Sequence, residues 1–136
     1  MDEHAVREAL ALDAQWVKAL RQSWLTVMDE AVWSEIRGTR PGGSGRLRKR
    51  VLEMGERLRS LTATREWIPR PREQLKNALA SAMAVEEALT ALERDVCELP
   101  EGDNERLARG LAQLSDVLWR RLPTLKTSWA ELLDGC

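Results

Sequence analysis

Residues 103–133 read DNERLARGLAQLSDVLWRRLPTLKTSWAELL and carry the clearest helical pattern in the chain. Their apolar side chains recur at steps of three or four residues, which places them along one face of an α-helix. The stripe consists of Leu107, Leu111, Leu114, Leu118, Leu122, Leu125, Trp129 and Leu132. Asp103 suits the N-cap position that precedes such a helix. Because the stripe keeps its register across Pro123, the pattern predicts one helix that is kinked by this proline near Trp119.

The N-terminal part of the chain predicts a long first helix, from about Asp2 to Arg37. Its apolar residues follow heptad spacing, and they are Val6, Leu10, Val17, Leu20, Trp24, Val27 and Ala31. Asp13 is the one polar residue that interrupts this stripe. At about 1.5 Å per residue, such a helix is about 50 Å long. Gly38 suits its C-terminal end.

The second helix is predicted to begin near Ser44 or Arg46 and to end between Thr62 and Glu66. Apolar residues between 47 and 61 step by four and three along the chain. This spacing places them on one side of a helix, so the second helix has one apolar and one polar face.

The third helix is predicted to begin at about Pro71, because proline is favoured in the first turn. Pro69 and Pro71 break the chain before it, since the residue ahead of a proline avoids helical geometry. Residues 98–105, which read ELPEGDNE, end it. The third helix is therefore separated from both of its neighbours by short, polar or proline-containing connections.

Four amphipathic segments joined by short connections predict an all-α protein, an antiparallel bundle of about four helices. The chain has 136 residues, enough for a single domain over 1–136 with its own core. Six tryptophans but no tyrosine or phenylalanine, with few strand-favouring residues, agree with a helical fold. Residues 38–45 contain several glycines and predict a flexible loop between the first two helices.

Charge is unevenly distributed along the chain, although the net charge is only −1. Residues 1–36 contain three basic and seven acidic side chains, and residues 73–136 contain seven basic and twelve acidic ones. Residues 37–72, in contrast, contain eleven basic and three acidic side chains, a net charge of +8. A basic segment between acidic flanks indicates either charge pairing inside the bundle, or a solvated face, or contact with an external polyanion.

The eleven basic residues of the central segment are candidates for contact with nucleic-acid phosphates. They are Arg37, Arg40, Arg46, Arg48, Lys49, Arg50, Arg57, Arg59, Arg65, Arg70 and Arg72. Four of them, at positions 46, 48, 49 and 50, fall in the first turn and a half of the predicted second helix. Free N–H groups at a helix start disfavour cations, so this placement breaks a local rule and marks a candidate functional site.

Two tryptophans fit the predicted helical stripes poorly. Trp33 falls about opposite Trp24 on the first helix, and Trp67 lies in the proline-containing connection. Both are close to arginines, and tryptophan beside arginine can stack bases or anchor a protein interface. We therefore treat Trp33 and Trp67 as candidates for stacking or partner contact. The alternative for Trp67 is that it covers one end of the core.

The sequence contains no pattern of catalytic residues. His4 is the only histidine, which leaves a zinc site, a di-iron site and a Ser–His–Asp triad without support. The glycine-rich stretch PGGSG lacks the Gly-Lys-Ser/Thr ending of a phosphate-binding loop. We accordingly expect no enzyme activity, no metal site and no cofactor.

In size, helical content and basic central segment, the chain resembles the small helical subunits of CRISPR effector complexes. The resemblance covers the whole chain and lies in its architecture, so it assigns a role to no individual residue. It implies a non-catalytic subunit of a ribonucleoprotein assembly that lies beside its protein neighbours and contacts the backbone of single-stranded RNA or DNA.

Two other classes of partner fit the same pattern. A protein-binding bundle, such as an adaptor, a secretion-type chaperone or an immunity protein, would use its helical faces on a partner or a second copy. An anionic membrane surface is the weaker option, because the apolar stripe of the second helix is needed for the core. The acidic start MDEHAVREAL and the two cysteines, Cys97 and Cys136, predict a cytoplasmic protein.

Overall fold

A computed structural model describes residues 3–37, 43–63, 70–98 and 105–135, without the side chains of 32–37 and 43–46. Five helical segments follow one another along the chain, and the described residues include no strand. They are α1 (Glu3–Leu10), α2 (Ala14–Arg37), α3 (Gly43–Thr62), α4 (Pro71–Cys97) and α5 (Glu105–Asp134). The prediction of an all-α helical bundle is confirmed.

The long first helix is present but bent, because residues 11–13 leave helical geometry and divide it into α1 and α2. Asp13 explains the position of the break. Its side-chain Oδ1 accepts a hydrogen bond from the backbone N–H of Gln15 at 2.9 Å, and its carbonyl accepts one from Val17 at 3.0 Å. These bonds are those of an N-cap residue, so the polar interruption of the apolar stripe starts a new helix.

The helices α2 to α5 form an antiparallel bundle in which α2 packs on α3 and α5, and α4 packs on α3 and α5. Gly55 of α3 lies against Trp24 of α2, since a Cβ atom added to the glycine would meet the indole Cζ2 at 2.9 Å. This close approach needs a residue without a side chain, and it explains a glycine in the middle of a helix.

The short helix α1 packs on α4 and α5. The indole Nε1 of the fully buried Trp129 donates to the carbonyl of Ala9 at 2.6 Å, and Val6 is fully buried. A second indole, that of Trp16, donates to the carbonyl of Val117 in α5 at 2.7 Å. Two tryptophans therefore fix the N-terminal helices onto α5, each with its one polar atom satisfied.

The predicted fourth helix is a single helix, because α5 continues through Pro123 from Glu105 to Asp134. Leu107 and Leu122 of its apolar stripe, before the proline, and Trp129, after it, are buried in the core. Burial of this stripe on both sides of the proline stabilises one continuous helix despite the backbone hydrogen bond that proline cannot donate.

The helix α3 begins earlier than predicted, so its cations lie farther from the helix start. The helix begins at Gly43, so residues 43–45 of the predicted loop are helical, and residues 38–42 lie outside the described part. Arg48, Lys49 and Arg50 consequently lie beyond the first turn. Because the effect of the helix dipole fades within one turn, these cations are penalised less than the sequence suggested.

Within the described residues, none of the helices is both long and apolar enough to span a membrane.

Candidate nucleic-acid interface

The outer surface of α3 presents four exposed cations, Arg48, Lys49, Arg57 and Arg59. None of the four forms an ion pair or a hydrogen bond through its side chain with any residue in the described ranges. Exposed, unpaired cations on one helix attract anions from solution and require no rearrangement before they bind.

Arg50 behaves differently from these four. Its Nε lies 3.1 Å from Oδ2 of Asp95 in α4, and its Nη1 lies 3.4 Å from Oε2 of Glu53. Asp95 is only 6% exposed, whereas the Arg50 side chain is 34% exposed. For this one cation the alternative of pairing inside the bundle is correct, because a buried carboxylate needs a charged partner. Arg50 therefore belongs to the α3–α4 interface.

Helical geometry divides the remaining cations between two sides of α3. Arg48, Leu52, Gly55 and Arg59 are separated by four, three and four residues, so they form one stripe. Since Gly55 contacts α2, this stripe follows the α2–α3 boundary. Arg57 is seven residues from Arg50 and so lies on the side near α4, while Lys49 points outward between the two sides.

A small groove of about 220 Å³ lies along the α2–α3 boundary. Arg21 of α2 and Arg59 of α3 both line it, together with the partly buried Trp24. Within the described residues neither arginine has an ion-pair partner. The groove therefore combines two cations with an aromatic edge, a combination that suits a phosphate and its sugar or base.

Arg21 lines this groove but was not predicted from the sequence as a contact residue. It belongs to a segment with net negative charge, so its position along the chain gives no indication of a basic surface. A helical-wheel comparison of α2 with α3 could have suggested it, because Arg21 lies one turn before Trp24.

Two further predicted cations lie at the start of α4. Arg70 and Arg72 are both exposed, and Arg70 Nη1 lies 3.4 Å from Oε1 of Glu73. This exposed pair leaves Arg70 in solvent, since surface pairs of this kind hold their partners weakly. Arg72 is a further exposed cation, with no ion-pair partner among the described residues.

The other predicted contact residues lie outside the described part of the structure. They are Arg40, Arg65 and Trp67, together with the side chains of Trp33, Arg37 and Arg46. We use the name basic face below for the described, exposed and unpaired cations Arg48, Lys49, Arg57 and Arg59 of α3, with Arg21 beside them.

No group of three histidine, cysteine or acidic side chains within the described ranges could hold a metal ion. His4, whose Nε2 lies 3.1 Å from Oε1 of Glu8, is an exposed helix residue. Comparison with protein-family models, curated proteins and solved structures finds no match to this chain. Fold and site together define a small antiparallel helical bundle with exposed cations along the outer surface of α3.

Proposed function

We propose that this chain is a non-catalytic helical subunit of a larger nucleoprotein assembly. Its basic face contacts the phosphates of a single-stranded nucleic acid without reading the base sequence. In this role the subunit contributes charge and a rigid helical surface, and it needs neither a metal nor a cofactor. The acidic flanking segments and the other helical faces remain free for protein neighbours.

The observation that carries this proposal is the lack of partners for Arg48, Lys49, Arg57 and Arg59 among the described residues. Of the α3 cations described, Arg50 alone is used to neutralise a buried carboxylate of the bundle. The other four cations neutralise no buried group of the described residues, and exposed charges of this kind add little to folding stability. Their spacing over about three turns of helix matches an extended polyanion better than a single small anion.

Sequence-independent binding is the form of recognition that these residues favour. Lysine and arginine on a helix surface reach phosphates readily, while base reading requires side chains aligned with base edges. The groove beside Arg21 and Arg59 adds the partly buried Trp24, whose apolar edge can contact a sugar or a base of any identity.

The direct test is a titration of fluorescent single-stranded RNA and DNA of several sequences at a series of salt concentrations. The test variant carries Arg48→Gln, Lys49→Gln, Arg57→Gln and Arg59→Gln. The matched control removes four other exposed cations that have no described ion pair, by Lys76→Gln, Arg94→Gln, Arg106→Gln and Arg121→Gln. Both variants change the net charge equally, so the comparison isolates position from total charge.

The proposal requires similar affinities for unrelated sequences and a steep loss of affinity with salt. A plot of log K against log salt concentration should become less steep by about 2 to 3 in the α3 variant, because each lost phosphate contact reduces the magnitude of the slope by about 0.7. The control should keep the wild-type slope. An equal loss of affinity in both variants, or no binding by the wild type at low salt, would contradict it.

A protein partner for the same face is the second candidate, and Leu52 is the observation in its favour. This leucine is 57% exposed and lies between the cations of the α2-facing stripe. An exposed leucine surrounded by basic residues fits an acidic, partly apolar protein surface. Leu52→Ser decides between the two, because it should leave binding to nucleic acid unchanged and weaken binding to such a protein.

A further inference from the structure

A second groove, of about 490 Å³, lies between the C-terminal part of α4 and the N-terminal half of α5. It is distinct from the basic face and shares no residue with it. Its lining consists of Glu93, Val96, Cys97, Ala108, Leu111, Ala112, Ser115, Asp116 and Trp119. The small side chains of Ala108 and Ala112 on α5 leave space in the groove. Trp119, which is 48% exposed, forms one of its walls. An indole left this open on an apolar groove indicates a contact surface.

The charges that line this groove are all negative. Glu93 and Asp116 contribute carboxylates, and no lysine or arginine is among the lining residues. Asp116 is engaged at 2.8 Å with Arg120, but Glu93 has no hydrogen-bond or ion-pair partner within the described ranges. Partial burial beside the groove raises the pKa of Glu93 above its usual range. A cation placed near Glu93 would offset that cost.

The end of α4 adds to this preference. Cys97 is the last residue of α4 and lines the groove, so the negative end of the α4 helix dipole is close by. Its partial negative charge favours a cation in the same way as the Glu93 carboxylate. Apolar walls and two sources of negative charge are therefore combined at one place.

The molecule itself shows which shape of occupant this pair of helices accepts. The short amphipathic helix α1 packs on both α4 and α5 elsewhere along their length, with Val6 fully buried. Two antiparallel helices leave a linear groove between them, and a third helix fills such a groove through its apolar side chains.

We propose that the α4–α5 groove docks one short basic amphipathic helix of a partner protein. An apolar side chain of that helix packs on Trp119 and Ala112, and a lysine or arginine one turn away pairs with Glu93. Charge complementarity selects a basic helix over an acidic one. This docking does not depend on the nucleic-acid proposal, since it uses a different surface.

The test uses the full chain and a fluorescent synthetic peptide that forms a helix of about four turns. Its leucines follow helical spacing and all other positions are lysine or alanine, and a second peptide replaces every lysine by glutamate. Ala112→Arg places a bulky cation in the groove, and Ala80→Arg makes the same change at an exposed position of α4 outside it. Glu93→Gln removes the proposed partner charge alone. Thermal unfolding of each variant verifies folding.

A second readout locates the bound peptide. Cys97 is exposed and lines the groove, so its reaction with a thiol reagent can be followed in a Cys136→Ser background. A helix in the groove should slow this reaction several-fold, while a helix bound elsewhere should leave it unchanged.

The expected result is binding of the lysine peptide, with affinity reduced at least about tenfold by Ala112→Arg, a change of about 1.4 kcal/mol. Glu93→Gln should weaken binding less, Ala80→Arg should have no effect, and the glutamate peptide should bind poorly. The proposal is overturned by equal binding of both peptides, by unchanged binding to Ala112→Arg, or by no binding up to about 1 mM. Concentration-dependent self-association that Ala112→Arg abolishes would assign the groove to a second copy instead.

Discussion

The α3–α4 interface and the outer surfaces of the same two helices use identical residue types in opposite ways. Arg50 of α3 and Asp95 of α4 pair at 3.1 Å inside the interface. Two residues before each of them, Arg48 and Glu93 lie on outer surfaces, and neither has an ion-pair partner among the described residues. Two residues correspond to about 200° on a helix. A run of charges in the sequence is therefore divided by helical geometry into structural pairs and charges available to other molecules.

The largest expected effect comes from removal of the interface cation. Arg50→Met keeps most of the side-chain volume but removes the guanidinium that pairs with the buried Asp95 at 3.1 Å. We expect a loss of about 2 to 3 kcal/mol in the free energy of unfolding, below the usual cost for a fully buried pair because Arg50 is one third exposed. Urea denaturation measures it.

The matched control is Arg48→Met, which makes the same change two residues away and should alter stability by no more than about 0.5 kcal/mol. The loss in the double variant Arg50→Met, Asp95→Asn should be smaller than the sum of the two single losses, since the two side chains share one ion pair. Equal destabilisation by Arg48→Met and Arg50→Met would remove the distinction between interface and surface.

The next effect tests the side of α3 that faces α2. Gly55→Val should lower the free energy of unfolding by about 1 to 3 kcal/mol, because a side chain at this position collides with the Trp24 indole. Thermal or urea unfolding gives the value. In combination with Trp24→Ala the loss should be smaller than the sum of the two single losses by about 1 kcal/mol. Strict additivity would show that the helices are not in close contact there.

A smaller effect is expected at the break between α1 and α2. Asp13→Ala removes the side-chain acceptor of the Gln15 amide, and N-cap losses of this kind cost about 1 kcal/mol. Asp13→Ser should preserve most of the stability, because a hydroxyl also accepts the bond. Asp13 therefore acts locally, as the cap of its own helix, whereas Asp95 acts across the interface between α3 and α4.

The smallest effect belongs to Glu93, the outer counterpart of Asp95. Because burial raises the pKa of Glu93, the folded protein favours the protonated carboxyl more than the unfolded chain does, and this contribution to stability is lost as pH rises through the folded-state pKa. Glu93→Gln should therefore be neutral in acid and stabilise the fold near pH 7, by no more than about 0.5 kcal/mol for a group that water still reaches. Stability measured against pH would contradict this if the variant were less stable than wild type at neutral pH.

Helix positions followed largely from local pattern. The leucine stripe of α5 specified a helix through Pro123, and the same spacing placed Leu20 and Val27 of α2 in the core, where both are buried. Such predictions succeed because an amphipathic helix must bury its apolar side whatever its neighbours are. The interruption at Asp13 was visible in the sequence as well, but its consequence was not, since a polar residue can remain in a helix or cap a new one.

The candidate sites could be predicted from the sequence only in part. The count of charges identified a basic central segment, yet it could not separate Arg50 from Arg48 or include Arg21 from an acidic segment. Those distinctions depend on which side of α3 faces α4 and which faces α2. The α4–α5 groove was not predicted at all, because Glu93, Cys97, Ala112 and Trp119 share no recognisable pattern along the chain.

The sequence by itself determined the all-helical architecture, the approximate ends of the helices and the concentration of positive charge between residues 37 and 72. These properties arise from apolar spacing, capping residues and composition, all of which act over a few neighbouring residues. Only the tertiary structure decided which cations are neutralised by the bundle and where two grooves with different charge are formed. Helix packing brings together side chains far apart in the chain, and the energy of a charge depends on the partners and water around it.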